Sequence, residues 1–297
     1  MDIDILKDKD NLRTVDFDKC ECMIHLDHRW VLPIIYYAQE EGFLDKPCDL
    51  IMFDQHHDSK VPRCLERIKN IVKSGISFEK LIELCDVKST MENTNEVLLS
   101  KNDEDWIIAG MELGLIDNLV AFGTREHPQR YSFGINNYHE DHLGKKHWLN
   151  YLSFPGSELS YEGCLSEYKD CYSTIWRILN WRYKDYHFSF GNSSRKILLD
   201  FDLDCFAMYW SDFRFPWPDE VFEKRFYEPS NYSTTQGWTG KMFLEGLMKY
   251  AGLITIAMEP DYCGGKKKSE EILKKVNHFL FDNNLSIAST SETSGNS

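Results

Sequence analysis

Asp54, His56 and Asp58 alternate within "LIMFDQHHDSKVP", directly after four apolar residues. Along an extended backbone alternate side chains point the same way, so these three can face one centre. An isolated ionised carboxylate is expensive to bury beside such a run, and a bound cation would remove that cost. Three other apolar runs end in the same manner. After "ECMI" come His25, Asp27 and His28, after "KILL" come Asp200, Asp202 and Asp204, and after "ITIAM" come Glu259 and Asp261. Histidine with several carboxylates suits a hard or borderline divalent ion such as Mn2+, and so many acids point to two ions sharing carboxylates. Cysteine-rich structural zinc does not fit, because no cysteine has ligand spacing beside the cluster.

Four separated segments can meet only if the elements before them end side by side. The runs Glu21 to Ile24, Leu50 to Phe53, Leu119 to Phe122, Lys196 to Phe201 and Leu253 to Met258 read as strands. Between them "RWVLPIIYYAQEEG", "PRCLERIKNIVKSG" and "DEDWIIAGMELGLI" carry apolar residues three and four apart and read as helices, with Pro33 in a first turn or at a kink. Alternation of this kind predicts a three-layer α/β/α domain with a mainly parallel sheet, whose strand ends converge on one crevice. Each motif alone has an ordinary explanation: a capped loop for DxHxD, a solvated acidic loop for DxDxD, a turn closed by Pro260 for "MEPD". Their joint appearance, each directly after a buried-strand pattern, favours a metal site.

The chain of 297 residues is expected to form one catalytic domain over 1–282, with an aromatic-rich excursion at about 206–238, a last helix around Ser269 to Phe281, and a disordered tail over 283–297. A net charge of −14 argues against nucleic acid and suits a cationic substrate. The nine scattered cysteines and the acidic N-terminus point to a reducing cytoplasm, and no window reaches the ~20 apolar residues of a membrane span.

"LDHRW", "FDQHHD", "LDFDLDCF" and "MEPDYCGG", in that order, resemble the metal-binding segments of the ureohydrolases, the arginase and deacetylase fold. They are most similar to its peptide arginase branch, which converts arginine side chains within a peptide to ornithine. The resemblance covers about Cys20 to Gly265 and implies an arginase-like fold. It further implies His28, Asp54, Asp58 and Asp202 around one manganese, and His56 and Asp204 at the second, with Asp54 and Asp202 as bridges. Glu259 corresponds to the acid that holds the guanidinium group, Asp261 is a lesser substrate-binding candidate, and Asp58 is the proton-transferring acid. Asp200 leaves a register ambiguity, because a two-residue slip keeps the same strand face.

Free-arginine enzymes follow the DxHxD segment with a loop of Asn, Ser and His that grips the amino acid's own charged groups. Here "SKVPRCLERIKN" comes next, without a histidine and leading into a helix, which fits an arginine-containing peptide as substrate. A proton-shuttling histidine would come from His127, His139 or His142. Three alternatives stand beside this reading: a single-zinc lysine or amine deacetylase, which "DQHHD" also resembles, a hydrolase of a small free guanidino compound, and a metal-stabilised peptide-binding module without catalysis. His57 reads as a packing residue facing away from His56.

Overall fold

The computed structural model describes residues 2–17, 20–86, 99, 105–123, 138–152, 196–210, 213–229, 237 and 239–286. The apolar runs form the middle of one sheet. Its strands are β1 (Arg13–Phe17), β2 (Cys20–His25), β3 (Cys48–Phe53), β4 (Ile116–Phe122), β5 (Tyr138–Glu140), β6 (Lys146–Leu152), β7 (Ile197–Asp202) and, after a separate ribbon of β8 (Ala207–Trp210) and β9 (Phe213–Pro216), β10 (Ala251–Ala257). The order across the eight-stranded sheet is β1-β2-β10-β7-β3-β4-β6-β5. Neighbours from β2 through β6 run parallel, while β1 on β2 and β5 on β6 are antiparallel edges. Every residue of β3 and β7 is buried, as expected of parallel strands covered on both faces.

The helices are α1 (Ile5–Asp10), α2 (Val31–Glu40), α3 (Leu65–Lys73), α4 (Phe78–Cys85), α5 (Trp106–Glu112), α6 (Asp219–Phe226), α7 (Gly240–Met248), α8 (Pro260–Cys263) and α9 (Lys266–Phe281). Strand alternation divides the core between them. Ile51, Phe53, Val120, Leu199 and Phe201 pack with Phe222, Phe243 and Phe279 of α6, α7 and α9. Leu50, Met52, Leu119 and Leu198 pack with Ile35, Leu81 and Ile108 of α2, α4 and α5. The result is the α/β/α layering that the sequence implies. Pro33 is the third residue of α2, where its missing N–H costs no hydrogen bond, so it starts the helix without breaking it.

The aromatic excursion is partly core. Phe206, Trp217, Phe222 and Phe226 are buried, and Phe222 stacks on Phe279 at 4.8 Å, whereas Phe213 and Phe215 of β9 are exposed. Trp238 and residues 230–236 lie outside the described residues, as does the 287–297 part of the expected tail. Among the described residues no helix is long and apolar enough to cross a membrane.

Candidate metal centre

The four strands that end in acids and histidines are consecutive in the sheet: β2, β10, β7 and β3. The chain passes from β2 to β3 across two positions that β7 and β10 fill later. A change of strand order of this kind opens a crevice at the carboxyl ends of an α/β sheet. Pairing continues past the strands and sets the register of the loops beyond them. Met258 N–H donates to His25 O and Glu259 N–H to Leu26 O, which brings Glu259 beside His28. On the other side Asp54 N–H donates to Phe122 O.

The side chains gather in two overlapping groups. His28 Nδ1 lies 3.2 Å from Asp58 Oδ2, 3.2 Å from Asp202 Oδ2 and 3.9 Å from Asp54 Oδ2. His56 Nδ1 lies 3.0 Å from Asp204 Oδ2 and 3.7 Å from Asp54 Oδ1. Asp54 belongs to both. Short loops fix these carboxylates from behind: Asp54 Oδ1 accepts from His56 N–H at 2.7 Å, and Asp202 Oδ1 from Asp204 N–H at 2.9 Å. Asp200 stands one step further back. Its Oδ2 is 2.8 Å from His28 Nε2, and Thr255 donates its hydroxyl to the other oxygen. Asp202 and Asp204 therefore face the centre while Asp200 faces the back of His28.

Two backbone positions of the crevice depart from ordinary L-residue geometry. Asp58 has φ 45° and Glu259 has φ 35°, both left-handed without being glycine. Such conformations persist where surrounding contacts over-determine them, and they cluster at functional sites. Glu259 Oε1 accepts from His28 N–H at 2.8 Å, while its Oε2 is buried without a hydrogen-bond partner among the described residues.

Charge in this crevice is out of balance. Burial, reinforced by Asp58 and Asp202, pushes Asp54 well above the carboxylate range, and burial with the Asp202 charge does the same to Glu259. Burial and Asp204 raise Asp202 to about 7. His56, which burial alone would hold down, is drawn up to about 10 by Asp204, and His28 is raised against its burial by Asp200 and Asp202. Asp58 goes the other way, lowered by His28 in spite of its burial. Asp54 Oδ2 is also buried and has no hydrogen-bond partner among the described residues, and Asp204 Oδ2 has only His56 Nδ1 beside it. Unpaired acceptors, like charges and imidazole nitrogens held this close are what divalent cations with oxygen and nitrogen ligands would neutralise. Three sets of ligand atoms lie mutually within 4.8 Å, namely His28, Asp54 and Asp58, then Asp54, His56 and Asp204, then His28, Asp202 and Glu259. The donor set fits two such ions.

Other expected residues are placed differently. Asp261 is exposed on α8, and its neighbour Tyr262 lines the cleft instead, its ring edge-on to His56 at 4.9 Å. His139 Nε2 and His142 Nδ1 lie 2.7 and 2.6 Å from the two oxygens of Glu112, at the far end of α5 from the cleft, and His127 lies outside the described residues. His57 Nδ1 lies 3.1 Å from Ser59 Oγ, and its ring faces Tyr151. Two further cleft residues do not stand among the candidates read from the sequence. Arg29 sits in the wall, its guanidinium held at two points by Asp27 at 2.8 and 2.9 Å, and Trp106 covers His28.

No family model matches the chain, and no curated protein matches it. Among solved structures, proclavaminate amidino hydrolase from Streptomyces clavuligerus is similar at a TM-score of 0.38 and 12% identity, over 87% of this chain and 61% of that one. At that distance the reading of the crevice rests on its own residues.

Proposed function

We propose that the chain is a metal-dependent amidinohydrolase that converts arginine side chains within a peptide to ornithine and urea, using two manganese ions. One observation carries the reading: four consecutive strand ends deliver His28, Asp54, His56, Asp58, Asp202 and Asp204 to one crevice, with a partnerless oxygen of Glu259 beside them. His28, Asp54, Asp58 and Asp202 would hold one ion and His56 and Asp204 the other, with Asp54 and Asp202 shared. Bound there, the ions would supply Lewis-acid activation of water near neutral pH.

The chain's own residues supply the rest. A guanidinium stays protonated and its carbon is a poor electrophile, so the substrate must be held in register with the attacking water. Glu259 Oε2 would accept from the guanidinium by a charge-assisted hydrogen bond. Asp58 would take the water's proton and return it to the departing amine. Tyr262 and Trp106 both line the cleft.

The peptide assignment draws on the segment after Asp58, which leaves the cleft through residues 59–64 into α3 without a histidine. Free arginine would keep its guanidinium contacts and lose those along a peptide chain, which help to position the reacting carbon. The test is incubation of the Mn2+-loaded protein with an arginine-containing basic peptide. Urea should appear with a mass loss of about 42 Da per converted residue, the net of adding water and releasing urea. Equal turnover of free arginine or agmatine would remove the peptide assignment, and absence of urea from all three would remove the chemistry.

A further inference from the structure

We infer that Trp106 is a positioning residue for the metal centre: its indole N–H holds Oδ2 of Asp58 and its ring backs His28, so that one side chain orients two of the ligands. The inference rests on the proposed metal centre and concerns a residue that no motif marks.

Three contacts place it. Trp106 Nε1–H donates to Asp58 Oδ2 at 2.5 Å. The indole stacks on the His28 imidazole with centroids 5.3 Å apart and planes at 28°. The next residue of α5, Ile107, donates its N–H to the Asp58 carbonyl at 3.1 Å. Asp58 is thus gripped at both its carboxylate and its backbone by the first turn of one helix. That double grip accounts for how a non-glycine residue is kept at φ 45° in the left-handed region.

The consequence is a division between the two oxygens of Asp58. Oδ2 lies toward His28 Nδ1, on the side of the ligand cluster, and the indole occupies a further acceptor position on the same atom. Oδ1 accepts no hydrogen bond among the described residues, which leaves it for the proton that the proposed reaction transfers. A hydrogen bond to a ligating carboxylate fixes its orientation, and loss of such a partner typically lowers metal affinity 10- to 100-fold. Indole is suited to the place because it donates one hydrogen bond, accepts none and is otherwise apolar. At 2% exposure Trp106 also belongs to the core that contains Ile108 and Leu81.

Trp106→Phe separates the two roles, since it keeps an aromatic ring against His28 and removes the N–H. Mn2+ binding would be followed by the electron paramagnetic resonance of the free ion, folding stability by denaturant titration of the metal-free protein, and turnover on an arginine-containing peptide. The expected result is Mn2+ binding weaker by roughly 10- to 100-fold, with kcat reduced and KM for the peptide little changed. Lower stability with wild-type Mn2+ affinity would overturn the inference and leave the metal reading intact. Absence of Mn2+ binding in the wild type would remove both. A second measurement needs no Trp106 variant: with 15N-indole tryptophan, one N–H resonance should shift on Asp58→Asn and also on adding Zn2+ to the wild type. No resonance responding to both would overturn the inference even if Trp106→Phe fails to fold.

Discussion

Asp200 Oδ2 lies 2.8 Å from Nε2 of His28, on the side of the imidazole away from the ligand cluster. That relationship sets Asp200 behind the imidazole, where a carboxylate would fix the ring and leave Nδ1 to the crevice. Asp200→Ala should therefore weaken Mn2+ binding by about 10- to 100-fold without abolishing it. Asp202→Ala should abolish it, since Asp202 faces His28 Nδ1 directly. Equilibrium dialysis against Mn2+ would read both. Loss of binding in Asp200→Ala together with normal binding in Asp204→Ala would move the ligand pair back by two residues.

Much of this was legible in the chain. The runs around Leu50 to Phe53 and Lys196 to Phe201 announce central strands because both faces of β3 and β7 are buried and no polar residue interrupts the run until the crevice. The margins of the sheet were not legible: "RTVDF" of the edge strand β1 and "KHWLNYL" of β6, whose outer neighbour is only the three-residue β5, mix charged and apolar residues. The last helix begins at Lys266, ahead of the expected Ser269, because its first turn is lysines that show no apolar period. In the site, the alternation of Asp54, His56 and Asp58, and of Asp202 and Asp204, was local and readable. Trp106 was not, because it sits in an apolar helix among core residues and reaches Asp58 from 48 positions away.

Without cations the crevice should make the fold weaker as pH rises. A group whose folded pKa exceeds its unfolded value stabilises fully below the unfolded value and loses that contribution as pH climbs through the folded one. Asp202, raised from 3.8 to about 7, loses its share over that interval. Buried Asp10, raised to about 8, and His56, raised from 6.5 to about 10, continue the loss. His25, which burial lowers to about 4, acts in the opposite sense, but its contribution is complete once pH passes its ordinary 6.5. Between about pH 6.5 and 8.5 the metal-free melting temperature should fall, and saturating Mn2+ should flatten or reverse the slope, because ligands bind as deprotonated groups. Calorimetric scans at the two pH values, each with and without Mn2+, test this; parallel slopes would contradict it.

Gly252 marks a close approach at the end of β10 away from the crevice. It sits at the register shift of β10, where a Cβ would run into the carbonyl oxygen of Phe43 and come within 2.8 Å of Lys196 Cβ. The obstacle includes backbone, so it cannot swing aside as a flexible side chain would. Gly252→Ala should cost about 1–3 kcal/mol of stability, the range for overpacking, read as a lower denaturant midpoint. A midpoint within experimental error of the wild type would show that this strand has room to shift.

Glu259 has two possible duties, and one substitution separates them. Its Oε1 accepts the His28 N–H, and its Oε2 is buried without a partner among the described residues, which would keep one oxygen for a cation. That cation is either the substrate's guanidinium or an ion shared with His28 and Asp202, which lie close enough to ligate together. Glu259→Gln retains an amide oxygen for the His28 N–H and removes the charge, so the local backbone has no reason to move. If the residue holds substrate, the variant should still bind two Mn2+ per chain. Its kcat/KM on an arginine-containing peptide should fall by roughly 10- to 100-fold, the worth of one charge-assisted hydrogen bond of about 1.5–3 kcal/mol. If it is a ligand, the Mn2+ stoichiometry should drop with the activity. A variant that binds both ions and turns over peptide at the wild-type rate would leave Glu259 with neither duty, and its unpaired oxygen and left-handed backbone would need another cause.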